Sequence, residues 1–209
     1  MYPYRITYAP VSASAAGLAS AVAYSGTGLA VTTNEVSDGL CHLITVGGLA
    51  ATDHTAKTFT VVGVGPNGKA QSEDLAGPNG VATITTTKYF KSVTSVLVSA
   101  TTGADTFNIG WATGAVSSTF PLNWRQQNFQ VSLGLVITGT VNVTVQHCLE
   151  SLQGDPITEG NETWWPHSTL ANKTASADGN YAFPVVATRF LVNSVTNGAT
   201  VSFSITQAR

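Results

Sequence analysis

Charge is what this sequence has least of. Only 10% of its 209 residues are Asp, Glu, Lys or Arg, against roughly 25% in ordinary soluble proteins. Nine basic side chains stand against 11 acidic ones, a formal charge of −2 at neutral pH. The basic residues are scattered singly: Arg5, Lys57, Lys69, Lys88, Lys91, Arg125, Lys173, Arg189 and Arg209. Electrostatic binding of nucleic acid needs clustered Lys and Arg to displace counterions, so that class is excluded as a partner. Long apolar runs are also missing. None approaches the 18 or so residues of a membrane helix, so no membrane partner is expected. Cysteine is scarce too. Cys41 and Cys148 cannot make a disulfide framework. Helical periodicity is absent over any useful length.

Thr, Ser, Val and Gly fill the space that charge leaves. Thr and Val are β-branched and suit a pleated, half-buried surface. The 20 glycines and 8 prolines fall mainly between the β-type runs, where turns need them. With 43% hydrophobic residues the chain has enough apolar surface to fold. A surface of hydroxyls loses little when covered, because a buried Thr needs one hydrogen bond and a buried charge needs a partner. That suits packing against copies of itself or a scaffold. A partnerless extracellular β domain has the same composition.

The pattern predicts an all-β protein: two tandem antiparallel β-sandwich domains, jelly-roll or Ig-like, behind an extended N-terminal arm. The arm covers residues 1–30, the first sandwich 31–114 and the second 120–209. Residues 1–10 carry three tyrosines and two prolines, and Tyr2, Tyr4, Ile6 and Tyr8 are candidates for contact with a neighbouring subunit or a capsid. The Ala/Ser/Gly-rich stretch that follows lacks a basic start before a strongly apolar core, so it does not read as a secretion signal. In the first domain Gly-Pro-Asn-Gly occurs twice, at 65–68 and 77–80. Pro presets φ and Asn-Gly tolerates positive φ, so the runs 58–64, 69–76 and 81–89 are expected to form a three-stranded meander. Val93 to Ser99 and Thr106 to Trp111 add strands, with Phe107, Ile109 and Trp111 on one face. In the second domain Val141, Val143, Val145, His147 and Leu149 share a face, as do Val201, Phe203 and Ile205. Lys88 to Val96 with Gly103 to Gly110 echoes Thr188 to Thr196 with Gly198 to Thr206, read as two similar hairpins in preference to a duplicated domain.

No catalytic constellation emerges, and the chain reads as a non-enzyme. Asp155, Glu159 and Glu162 form the densest acidic stretch, in a polar loop beside Trp164 and Trp165. A glycosidase needs its carboxyls on rigid strands across a groove, so a solvated loop is the simpler reading. A sugar-binding loop using the two tryptophans is the alternative. No Gly-x-Ser-x-Gly elbow, phosphate loop or Asp-rich calcium loop around Asp53 or Asp178 is present. The pairs Cys41-His42 and His147-Cys148 suggest zinc. On a strand, however, adjacent side chains point to opposite faces, and a structural zinc site wants four ligands at loop-type spacing. No metal and no cofactor are expected. Sequons at Asn142, Asn161 and Asn172 are what a Thr-rich chain produces by chance. If residues 163–167 follow a strand course, Trp164 and Trp165 face opposite ways, with Trp164 as the exposed aromatic that meets a partner.

Two stretches together resemble a family. One runs from Phe59 through both Gly-Pro-Asn-Gly turns to Val96. The other comprises Val143 to His147, Trp165, Leu170 to Asp178, Pro184 to Val192 and Thr200 to Gln207. In this order they resemble the small β-sandwich structural proteins of tailed-bacteriophage virions, found on heads, necks or tails. The resemblance implies a location in the virion and carries no catalytic residue. It implies a head decoration (cement) protein on the major capsid lattice, or a tail, neck or fibre component. The partners it implies are further copies of the chain, as a dimer or trimer, and the major capsid protein. It also places Trp165 at an aromatic core-anchor position.

Overall fold

The computed structural model describes residues 3–150 and 162–207. Every assigned element among them is a β-strand. The first nine are β1 (Tyr4–Tyr8), β2 (Ser14–Ala23), β3 (Gly28–Leu29), β4 (Cys41–Gly48), β5 (Thr58–Val64), β6 (Ala70–Ala76), β7 (Thr83–Phe90), β8 (Ser92–Val98) and β9 (Thr106–Val116). Then come β10 (Phe120–Pro121), β11 (Val131–Thr138), β12 (Val141–Cys148), β13 (Trp165–Pro166), β14 (Ala177–Tyr181), β15 (Ala187–Val195) and β16 (Thr200–Gln207). The described chain is all-β and antiparallel, as the period-two pattern predicts.

Two compact units divide the chain. One is Ala13–Thr113; the other is split, made of Met1–Ser12 and Gly114–Arg209. In the 13–113 unit the strand orders are β2-β9-β4-β7 and β3-β8-β5-β6. In the split unit they are β1-β16-β11-β14 and β10-β15-β12-β13. Each unit thus has eight strands. The first, eighth, third and sixth form one set; the second, seventh, fourth and fifth form the other. The same pairing occurs twice in one chain, the difference being that the 13–113 unit interrupts the split unit between its first and second strands.

The turn chemistry works locally but pairs different strands from those expected. Gly65 to Gly68 closes the β5–β6 hairpin, with Gly68 at φ +80° and Gly65 N–H donating to the Lys69 carbonyl at 2.9 Å. The second turn, Gly77 to Gly80, makes no hairpin. Its backbone is claimed by the β4–β5 loop: His54 N–H donates to the Pro78 carbonyl at 3.0 Å and Gly80 N–H to that of Thr52 at 3.1 Å. A Cβ on Gly77 would meet the Phe59 ring at 2.7 Å, so that approach needs glycine. The chain crosses there, β7 pairs with β4, and the expected meander ends after two strands. Glu73 accepts from Thr87 and Lys88 N–H at 2.8 and 2.9 Å, tying β6 to β7 across the change of sheet. β11 and β12, on either side of Gly139, likewise belong to different sheets. So do β8 and β9, and β15 and β16. The two echoing segments are therefore not hairpins. They are the seventh and eighth strands of the two units, and Phe107 and Ile109 are as fully buried in β9 as Phe203 and Ile205 in β16.

Aromatic rings join the sheets inside each unit. Phe59 of β5 meets Phe107 of β9 edge-on at 5.3 Å. In the split unit Phe190 of β15 contacts Phe203 of β16 at 5.7 Å and Tyr8 of β1 at 5.3 Å. The expected arm is thereby corrected. β1 pairs residue by residue with β16, from Tyr4 with Ile205 to Tyr8 with Val201, and β2 pairs with β9. Tyr8 is buried and Ile6 half-buried on their own chain, while Tyr4, still exposed, lies tilted against Phe120 at 5.3 Å. Strand alternation puts Tyr4, Ile6 and Tyr8 on one face, and burial deepens along it from the exposed Tyr4 to the buried Tyr8. Tyr2 lies outside the described residues. The first thirty residues are divided between the two units and do not form a separate segment.

Candidate functional site

One end of the split unit brings together three of the side chains singled out above, Trp164, Trp165 and His147. β13 pairs with the end of β12, placing Trp165 opposite His147 and Pro166 opposite Gln146. Directly opposed residues share a face. His147 contacts Tyr181 of β14 at 5.2 Å and Phe183 at 5.7 Å, so its face is the inner one. Trp165 therefore lies on the inner face, yet it is 53% exposed. This corrects the core-anchor assignment: β13 has only two residues, at the margin of the sheet, so the ring projects beyond the layer that would cover it. Phe183, 48% exposed, adds a second uncovered ring on His147.

Trp164 faces the other way and is half-buried. The Arg189 guanidinium sits 4.1 Å over its ring, and Arg189 Nε donates to Gln146 Oε1 at 2.9 Å. The expected roles of the tryptophans are thus exchanged, Trp165 being the accessible ring and Trp164 the one engaged by its own chain. Trp164→Ala is expected to cost about 1 kcal/mol through loss of the cation–π contact. Trp165→Ala should stay within about 0.5 kcal/mol, as exposed substitutions usually do. Chemical denaturation of the two variants checks the order.

Beneath the exposed rings burial shifts two groups, Tyr181 and His147, toward their neutral forms. Burial, and then the Thr188 hydroxyl acting in opposition, leave the Tyr181 phenol pushed up to about 12. Its oxygen lies 3.3 Å from Thr188 Oγ1. Burial, and secondarily the neighbouring His167, lower the pKa of His147, whose Nδ1 has no hydrogen-bond partner. His167 is fully used: Nε2 donates to the Asn180 carbonyl at 3.1 Å and Nδ1 accepts from Thr169 N–H at 3.1 Å. Because the folded pKa of His147 lies below its ordinary value, the unfolded chain takes up the proton first as pH falls through about 6.5. Stability should be level above that and decline on acidification toward the depressed folded value. Melting temperatures between about pH 8 and pH 5 test this. His147→Phe, which keeps a ring against Tyr181, should make the decline shallower.

The remaining candidates are distributed over both units. Cys41 and Cys148 are buried, form no disulfide and belong to different units, and burial raises the Cys148 pKa. His42 pairs through Nε2 with both Asp38 oxygens at 3.1 Å. Among the described residues no group of three or more His, Cys, Asp or Glu could hold a metal ion. Asp155, Glu159 and Asn161 lie outside the described residues, and Glu162 is half-buried. Asp53 caps Thr55 N–H at 2.8 Å, which lowers its pKa, and Asp178 is exposed on β14. Asn142 and Asn172 both accept from Asn193 Nδ2, at 2.7 and 3.3 Å, so their amides belong to a local network.

A second polar relay escaped sequence reading. His54 Nε2 lies 3.0 Å from Asp105 Oδ2, and Lys57 Nζ lies 2.9 Å from His54 Nδ1. Lys57 donates to Nδ1, which makes Nε2 the protonated nitrogen facing the carboxylate. The three residues span two loops separated by 48 positions of chain, and no short motif reports such a meeting. No family model, no curated protein and no solved structure matches the chain.

Proposed function

We propose that this chain is a non-enzymatic structural protein of a tailed-bacteriophage virion, a head decoration (cement) protein bound to the major capsid lattice. The supporting observation is the strand pairing that both units repeat, with strands one, eight, three and six in one sheet and two, seven, four and five in the other. We read each unit as a jelly-roll β-sandwich, the architecture of many viral capsid and lectin domains. Fold alone does not choose between those two uses. The low charge favours the virion. A cement protein meets its lattice through many repeated contacts, and Ser and Thr can be covered there without stranding a charge.

The test is stoichiometry in purified particles. Decoration predicts hundreds of copies per head, and addition of the purified protein to heads lacking it should raise their melting temperature. A dozen or fewer copies would move the assignment to tail, neck or fibre, and absence from particles would overturn the virion reading. The uncovered Trp165 and Phe183 rings favour a second reading, a module for host-surface glycans, because sugar C–H faces stack on exposed aromatics. Glycan-array binding that is lost in Trp165→Ala would support it.

A further inference from the structure

The outer face of the β1-β16-β11-β14 sheet is hydroxyl-rich and almost uncharged. Its inward residues are spoken for: Tyr8, Val201, Phe203, Ile205, Val131, Leu133, Leu135 and Tyr181 are all buried. The alternate residues lie on the other face, where Ser202 is buried beneath its neighbours, Ser204 is half-buried and Thr7, Val136, Ser132, Asn180 and Thr206 are exposed. One cross-strand row is formed by Arg5 opposite Ser204, Ser204 opposite Gly134 and Gly134 opposite Asp178. The adjoining rows contain Thr7, Ser202 and Val136 on one side and Thr206, Ser132 and Asn180 on the other. Arg5 and Asp178 are the only charges in these three rows. Both are exposed, and they occupy opposite edges of the sheet in the same row.

We infer that this face pairs with the same face of a second copy. A two-fold axis laid along the strands, between β16 and β11, carries β1 of one copy over β14 of the other. Arg5 then meets the partner's Asp178, and Asp178 meets the partner's Arg5, so the row is complementary to itself. Such self-complementarity is what an isologous contact requires. At the middle of the row Gly134 has no side chain, which leaves a notch opposite the partner's Ser204. A translation along the strands by one row moves each charge away from its opposite charge, so the two ion pairs also define the register. Three strand spacings of about 4.8 Å by five residues of about 3.4 Å give a face on the order of 250 Å². A stable interface needs about 800 Å² per partner. The pairing is therefore weak in dilute solution and strengthens where copies are held close together. It concerns copies of this chain alone, so it stands independently of the virion reading.

Sedimentation velocity on the full chain, from about 10 μM to about 1 mM at low salt, tests it. The expected result is a concentration-dependent dimer that added salt weakens, as it does any exposed ion pair. Asp178→Arg and Arg5→Asp should each weaken dimerisation by about tenfold or more, and the double swap should restore it to within about threefold. Asp178→Arg leaves β1 untouched, so it keeps the test valid if Arg5→Asp, which loses a 3.4 Å bond to Ser202, loosens that strand. A wild-type chain that stays monomeric at about 1 mM overturns the inference. So does a dimer indifferent to both swaps, or one that the double swap fails to restore.

Discussion

Tyr8→Ala is expected to destabilise the split unit by about 3–5 kcal/mol, the usual cost of removing a buried aromatic ring. Tyr8 is 6% exposed, pairs with Val201, and sets its ring against the edge of Phe190. The cavity would open between β1 and β15, in the layer where Phe190 also meets Phe203. Thr7→Ala, one residue away on the outer face, loses only the 2.6 Å hydroxyl contact to Ser202 and should cost about 1 kcal/mol. Urea denaturation of the pair separates the two. A Tyr8→Ala cost below about 1 kcal/mol would mean that β1 is a detachable arm after all. Deleting residues 1–10 should be worse than either, because β16 would lose its ladder partner and become an open edge prone to pair with other chains.

Gly110→Ala should have the next largest effect, about 3 kcal/mol, at the upper end of overpacking costs. A Cβ there would collide with the Ser14 carbonyl oxygen and lie 2.6 Å from the Ala15 carbonyl carbon. All of these atoms are backbone. No rotamer change relieves the clash, so β2 must move off β9. Gly134→Ala is the matched control, since its Cβ would sit at an ordinary 3.5 Å from the Ser204 Cβ. Alanine also has less backbone entropy to lose than glycine, so Gly134→Ala should be neutral or stabilising by about 0.5 kcal/mol. Thermal unfolding of both proteins provides the measurement. Similar shifts for the two variants would contradict the close approach of β2 to β9.

Local pattern accounts for the strands but not for their partners. Alternation in 141–147 and 201–205 buries the residues it should, and the glycines at 68, 80, 139 and 198 hold the positive φ values that their turns need. Those signals depend on neighbours a few residues apart, which is why they can be read from the sequence. Turn signals favour hairpins between successive strands, yet after residue 76 most successive strands change sheet. β7 pairs with β4, and β11 pairs with β16 and β14. Neither choice leaves a trace in the turn that precedes it, because the turn sequence reports only that the chain bends.

The aromatic cluster follows the same division. Adjacent tryptophans on a strand course had to face opposite ways, and they do. Which of them would be covered depended on how far the facing layer extends. Trp165 shares a face with the buried His147 and still stands in solvent, because it lies beyond the end of that layer. The relay of Lys57, His54 and Asp105 depended likewise on two distant loops meeting.

Composition and period two thus determined an all-β, charge-poor protein, its strand segments and the inward face of each. Side-chain alternation and turn preference act within a few residues and are written directly in the order of the chain. Tertiary structure alone decided that the first strand of the split unit comes from the N-terminus, that the other unit is inserted behind it, and that both units repeat one pairing. Strand pairing is decided by which apolar faces can be buried together across long stretches of chain, and that is a property of the whole fold.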